Sequence, residues 1–159
     1  MSEGTPLPKK KLATRPTKKP KKKPAVGTYT VPRGHVSLAV PPFWTLRQTN
    51  DDIEVEAPSA STSVIVTAFQ RNKGYRALDA REYLKHFLET APKNGRLKQD
   101  GGTRNRALAR YKDPEGDSWN VMFIANSSTL LLATCNTSLS PTHKEAKTGV
   151  SILDSIHLR

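Results

Sequence analysis

The sequence predicts an α+β domain behind a disordered basic arm. In this domain a mostly antiparallel sheet of six to seven strands carries two packing helices. Three observations lead to the prediction. Most of the chain consists of short runs in which apolar and polar residues alternate. Only two segments have the spacing of an amphipathic helix. The first thirty residues combine lysine and proline with few large apolar side chains. We therefore assign residues 1–30 to the basic arm and residues 31–159 to the folded domain.

The basic arm (residues 1–30) carries most of the chain's charge. Its first 26 residues contain nine basic residues and one acid, so they supply eight of the twelve net positive charges. Five prolines in the same stretch oppose helix and sheet, and the little apolar surface cannot offset the entropy of ordering. The basic residues of the arm are Lys9, Lys10, Lys11, Arg15, Lys18, Lys19, Lys21, Lys22 and Lys23.

Three runs after the arm have the pattern of strands. "HVSLAVP" (residues 35–41) alternates strictly, and its closing prolines end the strand. "DIEVEAP" (52–58) alternates between apolar residues and glutamates, whereas "TSVIVTAF" (62–69) is apolar on both faces, as in a central strand. The turn-forming "PSAST" between the last two predicts a hairpin.

The segment "LDAREYLKHFLETAP" (78–92) changes to the helical period. Its apolar side chains follow i, i+3, i+4, i+7 spacing and form one stripe that can lie against a sheet. Asp79 and Glu82 have the capping-box pattern, and Pro92 ends the element. The stripe consists of Ala80, Tyr83, Leu84, Phe87, Leu88 and Ala91.

Four further strands and a second helix follow. "GRLKQD" (95–100) and "RNRALARYK" (104–112) flank a Gly-Gly turn, and "DSWNVMFIAN" (117–126) and "STLLLATCNT" (128–137) form a hairpin. The closing "PTHKEAKTGVSILDSIHL" (141–158) is a helix, for which we predict Ser140 as N-cap and Pro141 at the first position. Its stripe is Ala146, Val150, Leu153 and Ile156 or His157. The glycine at 149 predicts close packing on the sheet.

The resulting order, β-β-β-α-β-β-β-β-α, resembles the PsbP/DcrB-like superfamily. The resemblance spans roughly residues 33–158 and is carried by "LAVPPFW", the helix "REYLKHFLE", the four-stranded meander and the closing "ILDSIHL". The superfamily includes photosystem lumen proteins, Mog-type Ran-release factors, DcrB-type bacterial proteins and Eag-type chaperones of secretion effectors. The resemblance implies a protein that binds another protein and is not an enzyme, and it carries over no site residue.

Motifs for catalysis or for cofactors are absent from the sequence. None of its four histidines has an i, i+4 partner of metal-ligand type, and no P-loop, Rossmann or nucleophile-elbow glycine pattern occurs. The single cysteine, Cys135, excludes an intrachain disulfide and has the surroundings of a small buried hydrophobe. We therefore expect no enzyme, no cofactor, no metal and no small-molecule substrate.

The sequence also bears on location. Neither a signal-peptide core nor a run of about 20 apolar residues is present, so we expect no membrane span. The expected location is the cytoplasm, or the nucleus of a eukaryote, and not the exterior of the cell.

Three hypotheses remain for the arm. Lysines on a flexible chain bind polyphosphates by releasing counterions, with no defined geometry. Two basic clusters also have the pattern of a nuclear import signal. The third hypothesis is a leader that only increases solubility. The arm has no interleaved aromatic residues for stacking on bases, so we expect no sequence-specific reading.

A second basic feature lies on the predicted strand 104–112. If residues 100–102 form a three-residue turn, Arg96 and Lys98 lie opposite Arg106 and Arg104. Like charges that face each other are destabilising, so the face invites an anionic partner; alternatively it is a solvated outer face that prevents edge pairing. The basic face consists of Arg96, Lys98, Arg104, Arg106, Arg110 and Lys112.

These observations predict a binding or adaptor protein. We expect the folded domain to dock on a protein partner while the arm contacts DNA or RNA non-specifically. The alternative is an adaptor or a chaperone of the secretion-effector type, in which the arm is incidental or a targeting signal.

Overall fold

The fold was obtained as a computed structural model, which describes residues 23–32, 34–72, 77–99 and 102–159. Within them the chain forms ten strands and two helices. In chain order these are β1 (Ala25–Val31), β2 (Gly34–Val40), β3 (Thr45–Gln48), β4 (Asp52–Glu56), β5 (Thr62–Gln70), α1 (Ala80–Thr90), β6 (Asn94–Gln99), β7 (Arg106–Lys112), β8 (Ser118–Ala125), β9 (Thr129–Thr137), α2 (Lys144–Asp154) and β10 (His157–Leu158). No helix among the described residues is long and apolar enough to span a bilayer.

The strands form two antiparallel sheets. The large sheet has seven strands in the order β3-β4-β5-β9-β8-β7-β6, and the small sheet has the order β1-β2-β10. The apolar strands β5 and β9 pair at the centre over nine residues each, from Thr62 opposite Thr137 to Gln70 opposite Thr129. The prediction of an α+β fold with a mostly antiparallel sheet and two helices is confirmed.

The large sheet is covered on both faces. Helix α2 and the small sheet pack on one face, around a core that includes Leu38, Val64, Met122 and Ile152. Helix α1 packs on the other face, over β7 and β8, where Leu84 meets Phe123 and Tyr111. The molecule therefore has three layers, and the side chains of β8 and β9 alternate between the two cores.

The apolar stripe of α1 agrees with its prediction. Asp79 is the N-cap, and its carboxylate accepts a hydrogen bond from the Arg81 amide at 3.0 Å. Ala80, Leu84 and Leu88 are buried, whereas Tyr83 remains 42% exposed at the rim of the helix.

The predicted start of α2 was wrong. The helix begins at Lys144 with His143 as N-cap, because the Ser140 carbonyl accepts a hydrogen bond from the His143 amide in a turn that precedes the helix. Ile156 is buried below the helix end, while His157 lies exposed in β10. The close packing predicted for Gly149 is confirmed, since a Cβ there would lie 2.7 Å from Cys135 Sγ.

Three strands were absent from the prediction. Strand β1 begins at Ala25, so the folded part starts within the residues assigned to the basic arm and the boundary at residue 30 lies too late. Strands β3 and β10 are four and two residues long, too short for a visible alternation. The predicted disorder of residues 1–22 lies outside the described residues.

Candidate anion-binding cleft

A cleft of about 500 Å³ opens between α2 and the outer strands of the large sheet. Helix α2 packs over β5 and β9, and the outer strands β8, β7 and β6 extend beyond it on the same face. The side chains of those three strands that point towards α2 therefore form one wall, and the flank of α2 forms the other.

Five cations line this cleft. Strand β6 contributes Arg96 and Lys98, strand β7 contributes Arg110 and Lys112, and α2 contributes Lys147. All five residues are exposed, and among the residues that the structure describes no acidic side chain shares the lining. In the described ranges none of their side chains makes an ion pair, and the salt bridges found there lie on β3–β4 and around α1.

The register of β6 and β7 concentrates this charge. Lys98 lies directly opposite Arg110, with a bulge between Asn94 and Lys98. The predicted pairing, Lys98 with Arg104 and Arg96 with Arg106, was wrong. Strand β7 begins only at Arg106, because Thr103 and Arg106 close a turn through their backbone groups first. Like charges still face each other across the strands, which is unfavourable unless an anion lies between them.

The structure separates the six residues of the predicted basic face. Four of them line the cleft. Arg106 instead donates hydrogen bonds to the carbonyl oxygens of Ile156 (3.2 Å) and Asp154 (3.4 Å), and so stabilises the C-terminal end of α2. Arg104 lines a separate cavity of about 710 Å³ beside the C-terminal strand. Ala107, Ala109 and Tyr111, which alternate with the basic residues along β7, are buried.

Lys147 was not among the predicted site residues. It lies on the exposed flank of α2 next to the buried Ala146, and a lysine in that position has no distinguishing pattern in the sequence. Only the crossing position of α2 places it against the basic strands.

The floor of the cleft is polar. Asn120 on β8 is 9% exposed, and its side-chain amide makes no hydrogen bond to the described part of the chain. Ser118 and Thr137 lie beside it, and Thr137 Oγ1 is 2.8 Å from Thr62 Oγ1. Pro141, Ala146 and Val150 close the α2 side. The cleft thus offers cations at its wall and an amide at its base.

A rigid turn holds β7 and β8 in register at the end of the cleft. The Asp113 carboxylate accepts hydrogen bonds from Trp119 Nε1 (2.9 Å) and from the backbone amides of Glu115 and Asp117. The Trp119 bond is the main reason that the pKa of Asp113 is lowered. Tyr111 stacks on Trp119 with ring centroids 6.3 Å apart, and burial raises the pKa of its hydroxyl.

The chemistry of the lining is that of anion binding. Arginine and lysine are charged at neutral pH, and the described residues of the lining include no histidine, cysteine or carboxylate that could exchange protons there. Elsewhere in the described ranges no group of three or more histidine, cysteine or acidic side chains could hold a metal ion. Cys135 is fully buried, as predicted, and desolvation raises its pKa to about 12.

The arm residues predicted to bind polyanions lie outside the described residues, with one exception. Lys23 is described, is exposed and precedes β1 by two residues.

The fold and the cleft define the class as a three-layer α+β domain with a cationic cleft. No family model and no curated protein matches the chain. Its fold is similar to that of a protein from Bacteroides thetaiotaomicron VPI-5482, with a TM-score of 0.52 and 15% identity. The similarity covers 78% of this chain and 45% of that chain, so this chain corresponds to less than half of its neighbour. The likeness concerns the fold alone.

Proposed function

We propose that this protein is a non-enzymatic binding protein that contacts a polyanion, DNA or RNA, through its basic arm and its cationic cleft. In this proposal the domain also docks on a protein partner, as the resemblance to PsbP/DcrB-like proteins implies. In this proposal the arm supplies affinity without a defined arrangement of contacts, while the cleft adds charges at fixed positions.

One observation carries the proposal: within the described part of the chain, five exposed cations and no acidic side chain line one cleft. If the charges of β6 and β7 served only to keep a strand face solvated, no cation from another element would need to face them. Here the charges of β6 and β7 face a lysine from a separate element, and Lys98 and Arg110 repel each other across the strands. A chain of phosphates relieves this repulsion at several points at once, and the release of its counterions adds to affinity.

The test measures binding of fluorescein-labelled DNA and RNA to the full-length protein by fluorescence anisotropy, at about 50 and 200 mM salt. Arg110→Glu is the cleft variant. It places a carboxylate opposite Lys98, and opposite charges on neighbouring strands are favourable, so the fold is retained. Lys85→Glu on α1 is the control, because it makes the same type of charge change on the other side of the large sheet.

We expect Arg110→Glu to weaken binding and to reduce the slope of log K against log salt by about 1 to 2, since one phosphate contact is lost and Lys98 is neutralised. We expect Lys85→Glu to leave the binding affinity and the salt slope unchanged. Replacing the nine basic arm residues by glutamine reduces the slope further.

Two results would contradict the proposal. If the wild-type protein binds neither probe at the lower salt, the polyanion function fails and the protein-adaptor alternative remains. If Arg110→Glu and Lys85→Glu have equal effects, only net charge matters and the cleft has no part in binding.

A further inference from the structure

The turn between β2 and β3 displays an aromatic ring to solvent. The turn runs from Pro41 to Trp44, and the Trp44 amide donates a hydrogen bond to the Pro41 carbonyl at 3.3 Å. Phe43 within it is 89% exposed and has φ = 71°. The left-handed region is unfavourable for a side chain with a Cβ, and a bulky aromatic residue there is an outlier. A glycine would relieve the backbone and remove the exposed apolar surface, so packing against the described residues does not account for the ring.

This turn lies at the end of the domain where the basic arm joins it. Ala25, the first residue of β1, pairs with Val40, the last residue of β2. Lys23 therefore precedes this pair by two residues, and Phe43 follows it by three. Chain geometry limits the distance between their Cα atoms to about 25 Å. A nucleic acid that contacts Lys23 therefore needs to extend by only a few nucleotides to reach the ring.

The arm and the ring supply different interactions. Residues 1–22 contain no aromatic side chain, so by themselves they contact phosphates and cannot stack on a base. An exposed ring stacks on an unpaired base, and every base has a face for such stacking. In a duplex the bases are stacked on each other, and the ring has nothing to contact.

We infer that Phe43 is a stacking platform for an unpaired base, and that it makes the protein prefer single-stranded over double-stranded nucleic acid. This inference rests on the proposed function and specifies the form of its ligand. A lipid surface is the competing occupant, since a basic segment beside an apolar side chain also suits an anionic membrane. Lipid binding scales with the apolar area inserted, and one ring supplies little of it, whereas one ring is sufficient for one base.

The experiment uses the full-length protein and two probes, a labelled oligo(dT) of about 20 nucleotides and a duplex of equal length. Four variants change only the turn: Phe43→Ala, Phe43→Leu, Phe43→Trp and Phe43→Gly. Leucine keeps the apolar surface without the flat ring, and tryptophan keeps a ring. Ala60→Gly is the matched control, because Ala60 also has a positive φ, 58°, in a turn between β4 and β5.

We expect Phe43→Ala and Phe43→Leu to weaken oligo(dT) binding about tenfold, the size of one lost base stack, and to leave duplex binding unchanged. The salt slope should not change, because stacking displaces no counterion. Phe43→Trp should retain the affinity. Phe43→Gly and Ala60→Gly should both raise the melting temperature, but only the former should lose oligo(dT) affinity, which separates loss of binding from loss of fold.

Several outcomes would overturn the inference. One is equal affinity of the wild-type protein for the two probes, and another is an unchanged oligo(dT) affinity in Phe43→Ala. A third is binding to vesicles containing about 30% phosphatidylserine that Phe43→Ala abolishes and Phe43→Leu retains, which would assign the ring to lipid. In the first two cases salt-dependent binding through the arm and cleft would persist, so the proposed function would stand. The absence of any binding would refute both.

Discussion

Gly149 lies in the middle of α2, where the helix crosses the central strands of the large sheet. A Cβ added there would lie 2.7 Å from Cys135 Sγ and 2.8 Å from Thr62 Cγ2. Cys135 is 0% exposed and Thr62 is 1% exposed, so neither atom can move into solvent. The Thr62 hydroxyl is further held by the Thr137 hydroxyl at 2.8 Å. We therefore expect Gly149→Ala to force α2 away from the sheet.

Two effects of this substitution oppose each other. Alanine is favoured over glycine in a helix interior by about 1 kcal/mol. Overpacking of a rigid core costs about 1–3 kcal/mol, and two contacts below 3.0 Å place this site in the upper part of that range. The net expectation is a loss of about 1–2 kcal/mol in the free energy of unfolding, and a melting temperature lower by about 3 to 8 °C.

Urea denaturation followed by circular dichroism measures this change. Ser151→Ala, at an exposed position of the same helix, is the control and should be neutral or slightly stabilising. Combining Gly149→Ala with Cys135→Ala and Thr62→Ser removes both close atoms and keeps the Thr62 hydroxyl. The combined variant should lose less stability than the sum of its single variants. If Gly149→Ala alone is as stable as the wild type, the close packing of α2 on the sheet is not the reason for the glycine.

Three other predictions concern single side chains. Asp79→Ala removes the N-cap of α1 and should cost about 1 kcal/mol in urea denaturation, whereas Asp79→Asn should retain most of the stability; equal losses would contradict a capping role. The pKa of Asp113 is lowered from its ordinary value of 3.8 in the folded protein, so its ionised carboxylate stabilises the fold when the pH is above 3.8. This stability is lost as the pH falls through the lower pKa of the folded state. Asp113→Asn should therefore lose less stability than the wild type between about pH 5 and 2, as monitored by the fluorescence of the protein including Trp119; parallel losses would contradict it. Burial raises the pKa of Cys135 to about 12, so a thiol reagent at pH 8 should label it only as fast as the protein unfolds, and rapid labelling of the native protein would refute the packing described.

Much of the fold follows from local pattern. Alternating runs predicted β2, β4, β5 and β7 to β9, and a helical stripe with an acidic cap predicted α1, because in these segments side-chain burial and backbone period agree. The start of α2 was predicted incorrectly because Ser140 and Pro141 form a favourable N-terminal pattern that the chain uses for a turn. Strands β3 and β10 owe their existence to neighbours in the sheet and have little pattern of their own.

In the candidate site, too, some features follow from local sequence pattern and others depend on tertiary structure. Its basic residues on β6 and β7 were visible in the sequence as an alternating charged face. Their cross-strand partners were not, because register depends on a bulge and on the length of the connection, and Lys98 pairs with Arg110, six residues beyond the predicted Arg104. The role of Arg106 at the end of α2 could not be predicted, since its acceptors lie about fifty residues away.

The sequence by itself determined the composition of the arm, the α+β class and the supply of exposed cations, because charge, proline content and hydrophobic period are local properties. The tertiary structure alone decided which cations share a cleft, since that depends on where α2 crosses the sheet. It also decided that the arm, which has no aromatic residue before Lys23, joins the domain beside the ring of Phe43. That neighbourhood arises from the pairing of β1 with β2, and no local pattern encodes it.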